Sequence, residues 1–166
     1  MPGLEPWLRG QPRLLDPLRS QLLLSLQQAE EDIEHFTAGL SNADIWAKPY
    51  GLASVGYHWR HIMGSVDRLL TYTQGLSLTE EQLASGAVEM QKGGTRDELL
   101  RELRERFSAV QIVVETIAAE TYEEERFVGR KKLPTTVGNL LVHIAEHTQR
   151  HVGQLIVTAK LARQRA

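Results

Sequence analysis

The sequence predicts an all-α fold: a bundle of four helices with a long connection between the second and the third. Three observations predict it. Apolar residues recur at steps of three and four in four separate stretches, the mark of a helix with one buried face. Valine and isoleucine are sparse, and no stretch alternates apolar with polar residues for long. The chain has 166 residues, 42% hydrophobic and 24% charged, which suits one domain that folds without covalent staples. We read residues 1–166 as a single domain, with an irregular N-terminal segment over 1–12.

In the first helix Leu15, Leu18, Leu22, Leu26, Ala29, Ile33, Phe36 and Leu40 share one face. Asp16 or Arg13 stands near its start, and Pro12 and Pro17 limit how early it begins. Ser41 to Ala53 reads as a connector carrying Pro49 and Gly51. Ser54 is suited to cap the second helix, whose stripe of Val55, Trp59, Ile62, Val66, Leu69 and Leu70 fades at Gly75. Residues 76–94 hold no long stripe and end in Gly93-Gly94, so they read as the long connection, with room for one short helix. Thr95 to Glu98 matches a capping box. Leu99, Leu103, Phe107, Val110, Val114 and Ile117 follow at helical spacing. The acidic run Glu123 to Glu125 and the basic run Arg130 to Lys132 read as loop. Pro134, Thr135 and Thr136 open a last helix with Val137, Leu141, Ile144, Val152, Leu155 and Ala159 on its stripe. The tail from Lys160 to Arg165 reads as a frayed, solvated end.

Composition excludes several classes. With no cysteine there is no disulfide framework, thiolate nucleophile, iron–sulfur cluster or cysteine zinc site. A formal net charge of −2 and the lack of a basic recognition helix argue against nucleic-acid binding. No segment has the apolar length of a membrane span, and the N-terminus lacks the apolar core of a signal peptide. The expectation is a cytoplasmic protein.

Five of the six histidines fall in two clusters, His58/His61 on the second helix and His143/His147/His151 on the last. On a helical wheel His58 lies roughly 75° and His61 roughly 135° from the centre of the second stripe, to the same side. On the last helix His151, His147 and His143 lie roughly 70°, 110° and 150° from the stripe, again to one side. Both helices therefore carry histidines on a shoulder of the apolar face, and two such shoulders can converge. Imidazole is the commonest side-chain ligand for zinc, nickel, copper and ferrous iron. Residues four apart on a helix stand about 6 Å from each other and can reach one ion. A third histidine from a neighbouring helix leaves coordination positions open, which distinguishes a reactive site from a closed structural one. The wheel places His58 nearer the apolar face than His61, so the residues alone leave the first ligand open between the two. His35, alone beside Phe36, reads as a surface residue.

Two other metal motifs fail on the letters. His143 to His147 matches H-x-x-E-H, but no acidic residue follows Glu146 to serve as the third ligand of that chemistry. A di-iron carboxylate bundle needs Glu three residues before its histidines. His61, His143, His147 and His151 are preceded at that distance by His58, Leu140, Ile144 and Thr148.

Two segments resemble the signature helices of the DinB/YfiT-like superfamily. One is Ser54-Val-Gly-Tyr-His-Trp-Arg-His61-Ile; the other runs from Leu141 through His147, His151, Gly153 and Gln154 to Leu155. The resemblance implies a four-helix bundle, often a homodimer, that holds a divalent metal with three histidines. The family's first ligand lies seven residues after a Ser/Thr helix start, which falls on His61. The His-x-x-x-His pair before Gly-Gln falls on His147 and His151. His58, His143 and Gln154 are then left as neighbours of the ligands or alternatives to them.

Relatives of this kind include metal-dependent transferases and isomerases that use low-molecular-weight thiols, and others are classed as metal-dependent hydrolases. The resemblance therefore implies an enzyme with an open three-histidine site acting on a small molecule. Its cofactor would be a divalent metal (Zn, Ni, Fe or Mn), with a low-molecular-weight thiol as cosubstrate. Arg130 is the candidate contact for an anionic substrate, with Lys131 and Lys132 beside it. Tyr57, Tyr72 and Glu146 are the nearest candidates for a general base. The alternative is a non-catalytic bundle that the metal stabilises and that serves dimerisation or a partner.

Overall fold

The computed structural model describes residues 3–10 and 15–164. Pro12, Arg13 and Arg165 lie outside the described residues. Six α-helices and one small hairpin follow in order: α1 (Pro17–Thr37), α2 (Asn42–Ile45), α3 (Val55–Thr73), α4 (Glu80–Glu89), α5 (Arg96–Thr116), β1 (Glu125–Val128), β2 (Leu133–Thr136) and α6 (Val137–Arg163). The all-α expectation holds, with that hairpin as its exception.

The helix starts follow from side chains that satisfy free backbone N–H groups. Asp16 accepts from the amides of Leu18 and Arg19 at 3.0 and 3.2 Å, with Pro17 at the first helical position. Ser54 accepts from Tyr57, and Thr136 from Asn139. Thr95 and Glu98 form the expected capping box. Two further boxes, Ser41 with Asp44 and Thr79 with Gln82, start α2 and α4 inside segments that read as connections. The C-terminal carbonyls are met by guanidinium groups from other elements. Arg96 and Arg163 donate to carbonyls at the end of α1, and Arg19 donates to Ile117 O at 2.6 Å, just past α5.

One apolar core joins the long helices, with Leu22, Ile33, Trp59, Ile62, Leu103, Leu141, Ile144 and Leu155 buried at its centre. Both α1 and α3 pack on α6 and on α5. The ring order is thus α1, α6, α3, α5, and helices consecutive among the four long ones, α1 with α3 and α5 with α6, stand on diagonals. The connections cross the bundle, which a simple up-and-down arrangement would not require. Trp46 fixes the first crossing. Its ring fills the place where a Cβ on Gly56 would stand, Arg60 lies over it at 5.0 Å, and its Nε1 donates to Gly94 O at 3.1 Å.

Three expectations are corrected. Residues 125–136 form an antiparallel hairpin, with Phe127 opposite Pro134 and Val128 opposite Leu133. Strands of four residues are too short to show a period of two, and a proline is tolerated in a two-stranded edge. The last helix consequently starts at Val137 with Thr136 as its cap, and Pro134 belongs to β2. The end of α6 is not frayed: Ala162 is buried, and Arg163 is tied to Phe36 O and Ala38 O.

Candidate metal centre

Three imidazoles meet between α3 and α6. His61 comes from α3; His147 and His151 come from successive turns of α6. One ligand atom from each lies within 4.8 Å of the others. Ring centroids stand 5.2 Å apart for His61 and His147, 4.4 Å for His61 and His151, and 4.6 Å for His147 and His151. The Nε2 atoms of His61 and His147 are 3.1 Å apart. Two nitrogens bound tetrahedrally to one zinc ion at 2.0–2.1 Å would stand ~3.3 Å apart. All three rings are half-buried, and the His61 side chain keeps 19% of its surface exposed.

The surroundings of His147 and His151 favour neutral imidazole, the form that binds metal. Burial, reinforced by the neighbouring histidines, lowers His151 to about 4 and pushes His147 down in the same direction. The Nδ1 of His147 is buried and has no hydrogen-bond partner. Three imidazoles whose ring nitrogens converge at these distances make a donor set that fits a divalent cation.

His58 lies behind His151. It is 6% exposed, its Nδ1 is 3.1 Å from Nδ1 of His151, and burial lowers it to about 4. The structure thus brings His61 into the cluster with the α6 pair and leaves His58 beside it. The wheel was right that His58 is the more buried of the two. The buried position lies under the rim, and the open centre lies at the rim.

The other nominated residues fall elsewhere. His143 is exposed, its ring centroid 5.3 Å from that of His147 and its Nδ1 2.9 Å from the Glu146 carboxylate. Glu146 is exposed and also accepts from Arg150 at 2.9 Å. Gln154 and Gly153 face outward, and a Cβ on Gly153 would meet nothing within 4 Å, so no close helix approach explains that glycine. Tyr57 stacks on His61, with centroids 5.6 Å apart and planes 13° from parallel. Arg130 lines a cavity of about 520 Å³ with Tyr72, Leu76, Phe127 and Lys132. Tyr72 is eleven residues from His61, or about 16 Å along α3, so neither it nor Arg130 adjoins the histidines.

Sequence reasoning missed Glu89. It is the buried acid among the described residues, at 5% exposure, and it comes from the last turn of α4. His61 donates to its Oε2 through Nδ1–H at 2.8 Å, and Arg68 donates to its Oε1 at 2.7 Å. Burial would raise this carboxyl, but the bonds from His61 and Arg68 outweigh it and hold Glu89 below the usual range. Its place at the end of a short helix with one weak apolar stripe gave no periodic signal. The only hint was Thr79 and Gln82, which mark a helix start ten residues upstream.

The sequence profile of the DinB superfamily matches residues 25–155. The chain belongs to that superfamily. The match takes in all three clustered histidines, the His58 beside them and Glu89. No curated protein matches the sequence. No described helix is long and apolar enough to cross a membrane.

Proposed function

We propose that the protein binds one divalent metal through His61, His147 and His151 and uses it as an enzyme, a low-molecular-weight-thiol S-transferase or a hydrolase. The convergence of three imidazoles from two helices on one point carries this reading. A metal in such a site lowers the pKa of a coordinated water or thiol and supplies a nucleophile at neutral pH. The chain's own part is to hold the rings. His147 and His151 are fixed by their places on successive turns of α6. Tyr57 packs the face of His61. His58 meets His151 at Nδ1, the nitrogen that a ligand bound through Nε2 would leave free. Zinc and nickel suit three imidazole donors best, and iron or manganese would more commonly take a carboxylate as well.

A second reading has its own support. The cluster bridges α3 and α6, which pack closely along their length, so a metal there would staple the bundle whether or not it turns over a substrate.

Elemental mass spectrometry on untagged protein tests the site. Near-stoichiometric metal that is lost in His61→Ala and His147→Ala but kept in His58→Ala is the expected result. Absence of metal from the wild type, even after reconstitution, would sink both readings. Thiol-transfer and hydrolysis assays on the loaded protein then separate them, since a staple alone gives no turnover that depends on the metal.

A further inference from the structure

Glu89 reaches the metal centre from outside the two helices that build it. Every other residue of α4 is half-buried or exposed, and only Glu89 is buried. Four residues on one side of α3 receive this end of α4. Arg60 donates to the carbonyls of Val88, Gln91 and Gly93 at 3.2, 2.7 and 2.7 Å and so pins the end of the helix. His61 and Arg68 grip the carboxylate from two sides. Gly64 lies between them on the same face. A Cβ there would collide with Glu89 Oε1 and stand 2.9 Å from Arg68 Nη1. Glycine inside a helix costs about 1 kcal/mol relative to alanine. Here it clears the space that the carboxylate occupies, so the notch and its occupant are matched in the sequence.

The contact also has a direction. Glu89 meets His61 at Nδ1, while Nε2 of the same ring faces His147. A neutral imidazole carries one N–H, and a carboxylate can only accept. We infer that Glu89 is a positioning residue for the centre: it holds the proton of His61 on Nδ1 and thereby presents the Nε2 lone pair to the point shared with His147 and His151. Carboxylates that hydrogen-bond the far nitrogen of a ligating histidine fix its tautomer and raise its basicity. Arg68 completes the arrangement by occupying the second carboxylate oxygen, which leaves Oε2 to His61. This inference rests on the metal reading above.

The test uses Glu89→Ala, Glu89→Gln and Gly64→Ala in the full chain, each checked for folding by circular dichroism. Gly64→Ala displaces the carboxylate while leaving it in the sequence, so it decides the matter even where Glu89→Ala does not fold. Two quantities are read. The tautomer of His61 is measured in metal-free protein by long-range proton–nitrogen NMR correlation. The dissociation constant for Zn(II) is measured by competition with a chromophoric chelator. The expected result is Nδ1–H in the wild type and a mixed or Nε2–H tautomer in Gly64→Ala and Glu89→Ala, with Zn(II) affinity lowered about 10–100-fold. Glu89→Gln keeps an acceptor and should lose less than Glu89→Ala. An unchanged tautomer and unchanged affinity in folded Gly64→Ala would overturn the inference. A wild type that takes up no Zn(II) removes the metal reading, yet the metal-free tautomer still decides whether Glu89 orients His61.

Discussion

At the start of α1, Asp16, Arg19 and Tyr122 form a polar cluster in which the charges and donors answer one another. Between α3 and α6, His58, His61, His147 and His151 form one that is answered only in part: Glu89 takes the Nδ1–H of His61, but Nδ1 of His147 has no partner. In the first, Arg19 and Tyr122 both donate to Asp16 Oδ2, and Oδ1 accepts from two amides of the helix start. Burial would raise Asp16, but the bonds from Tyr122 and Arg19 bring it down to about 2, while burial and the Asp16 bond push Tyr122 up to about 12. In the second, imidazoles face imidazoles, burial drives His58 and His151 down to about 4, and Nδ1 of His147 is left without a partner. The first cluster is complete as a structural joint. The second leaves ring nitrogens facing one another at a distance that a shared cation would suit.

That contrast is broken or sharpened by experiment, taking the largest effect first. Saturating Zn(II) should stabilise the protein by about 2.7 kcal/mol at a free concentration one hundred times the dissociation constant. Calorimetry with Zn(II) and with a chelator would read this, and His147→Ala should abolish it. Asp16→Ala, which leaves the metal site untouched, should keep the full Zn(II) response. A Zn(II) response that survives His147→Ala would show that the histidines are not the centre.

The next effect is stability itself. Asp16→Ala removes a helix cap and an ion pair and should cost about 1–2 kcal/mol. Tyr122→Phe removes only one of the bonds to that carboxylate and should cost less. Urea denaturation checks both, and a double-mutant cycle should show coupling between them.

The two clusters should also fail in different pH windows. His58 and His151 have folded values of about 4, below the ordinary 6.5. The unfolded chain then binds more protons between those limits, so metal-free protein is fully stabilised above about pH 6.5 and loses this contribution as pH falls to about 4. Asp16, at about 2 against an ordinary 3.8, contributes above about pH 4 and loses its part as pH falls through about 2. Melting temperatures of chelator-treated protein from about pH 2 to about pH 8 should show the histidine limb first as pH falls. His58→Phe should shrink that limb and leave the lower one in place.

The smallest effect is a control on α6. Gly153 is exposed with open space around it, so Gly153→Ala should stabilise by about 0.4–1 kcal/mol in thermal or urea melts. Gly64→Ala should do the opposite, because its Cβ displaces a buried carboxylate.

Much of this was legible in the letters. The stripes of α1, α3, α5 and α6 show because each helix is long enough for its period to emerge over several turns. The caps at Ser54 and Thr95, and the place of Asp16 near the start of α1, show because capping chemistry is local. The pairing of His147 with His151 is likewise local, being one turn of one helix. The choice of His61 over His58 came from resemblance rather than from the wheel, and the structure places His61 in the cluster. The hairpin was missed because four-residue strands carry too little pattern. The role of Glu89 was missed because its partners lie 28 and 21 residues away in sequence.

The sequence by itself determined which long segments are helical, roughly where they begin, and which helix faces carry imidazole. Those properties depend on neighbours within a turn or two, and a linear code can express them. The tertiary structure alone decided that α1 and α3 stand on a diagonal, that His58 lies beneath the rim while His61 opens onto it, and that Arg130 falls far from the centre. It alone set a carboxylate from α4 into the notch left by Gly64. These depend on how far apart in space distant segments come to rest, which is settled by the packing of one shared core and not by any short run of residues.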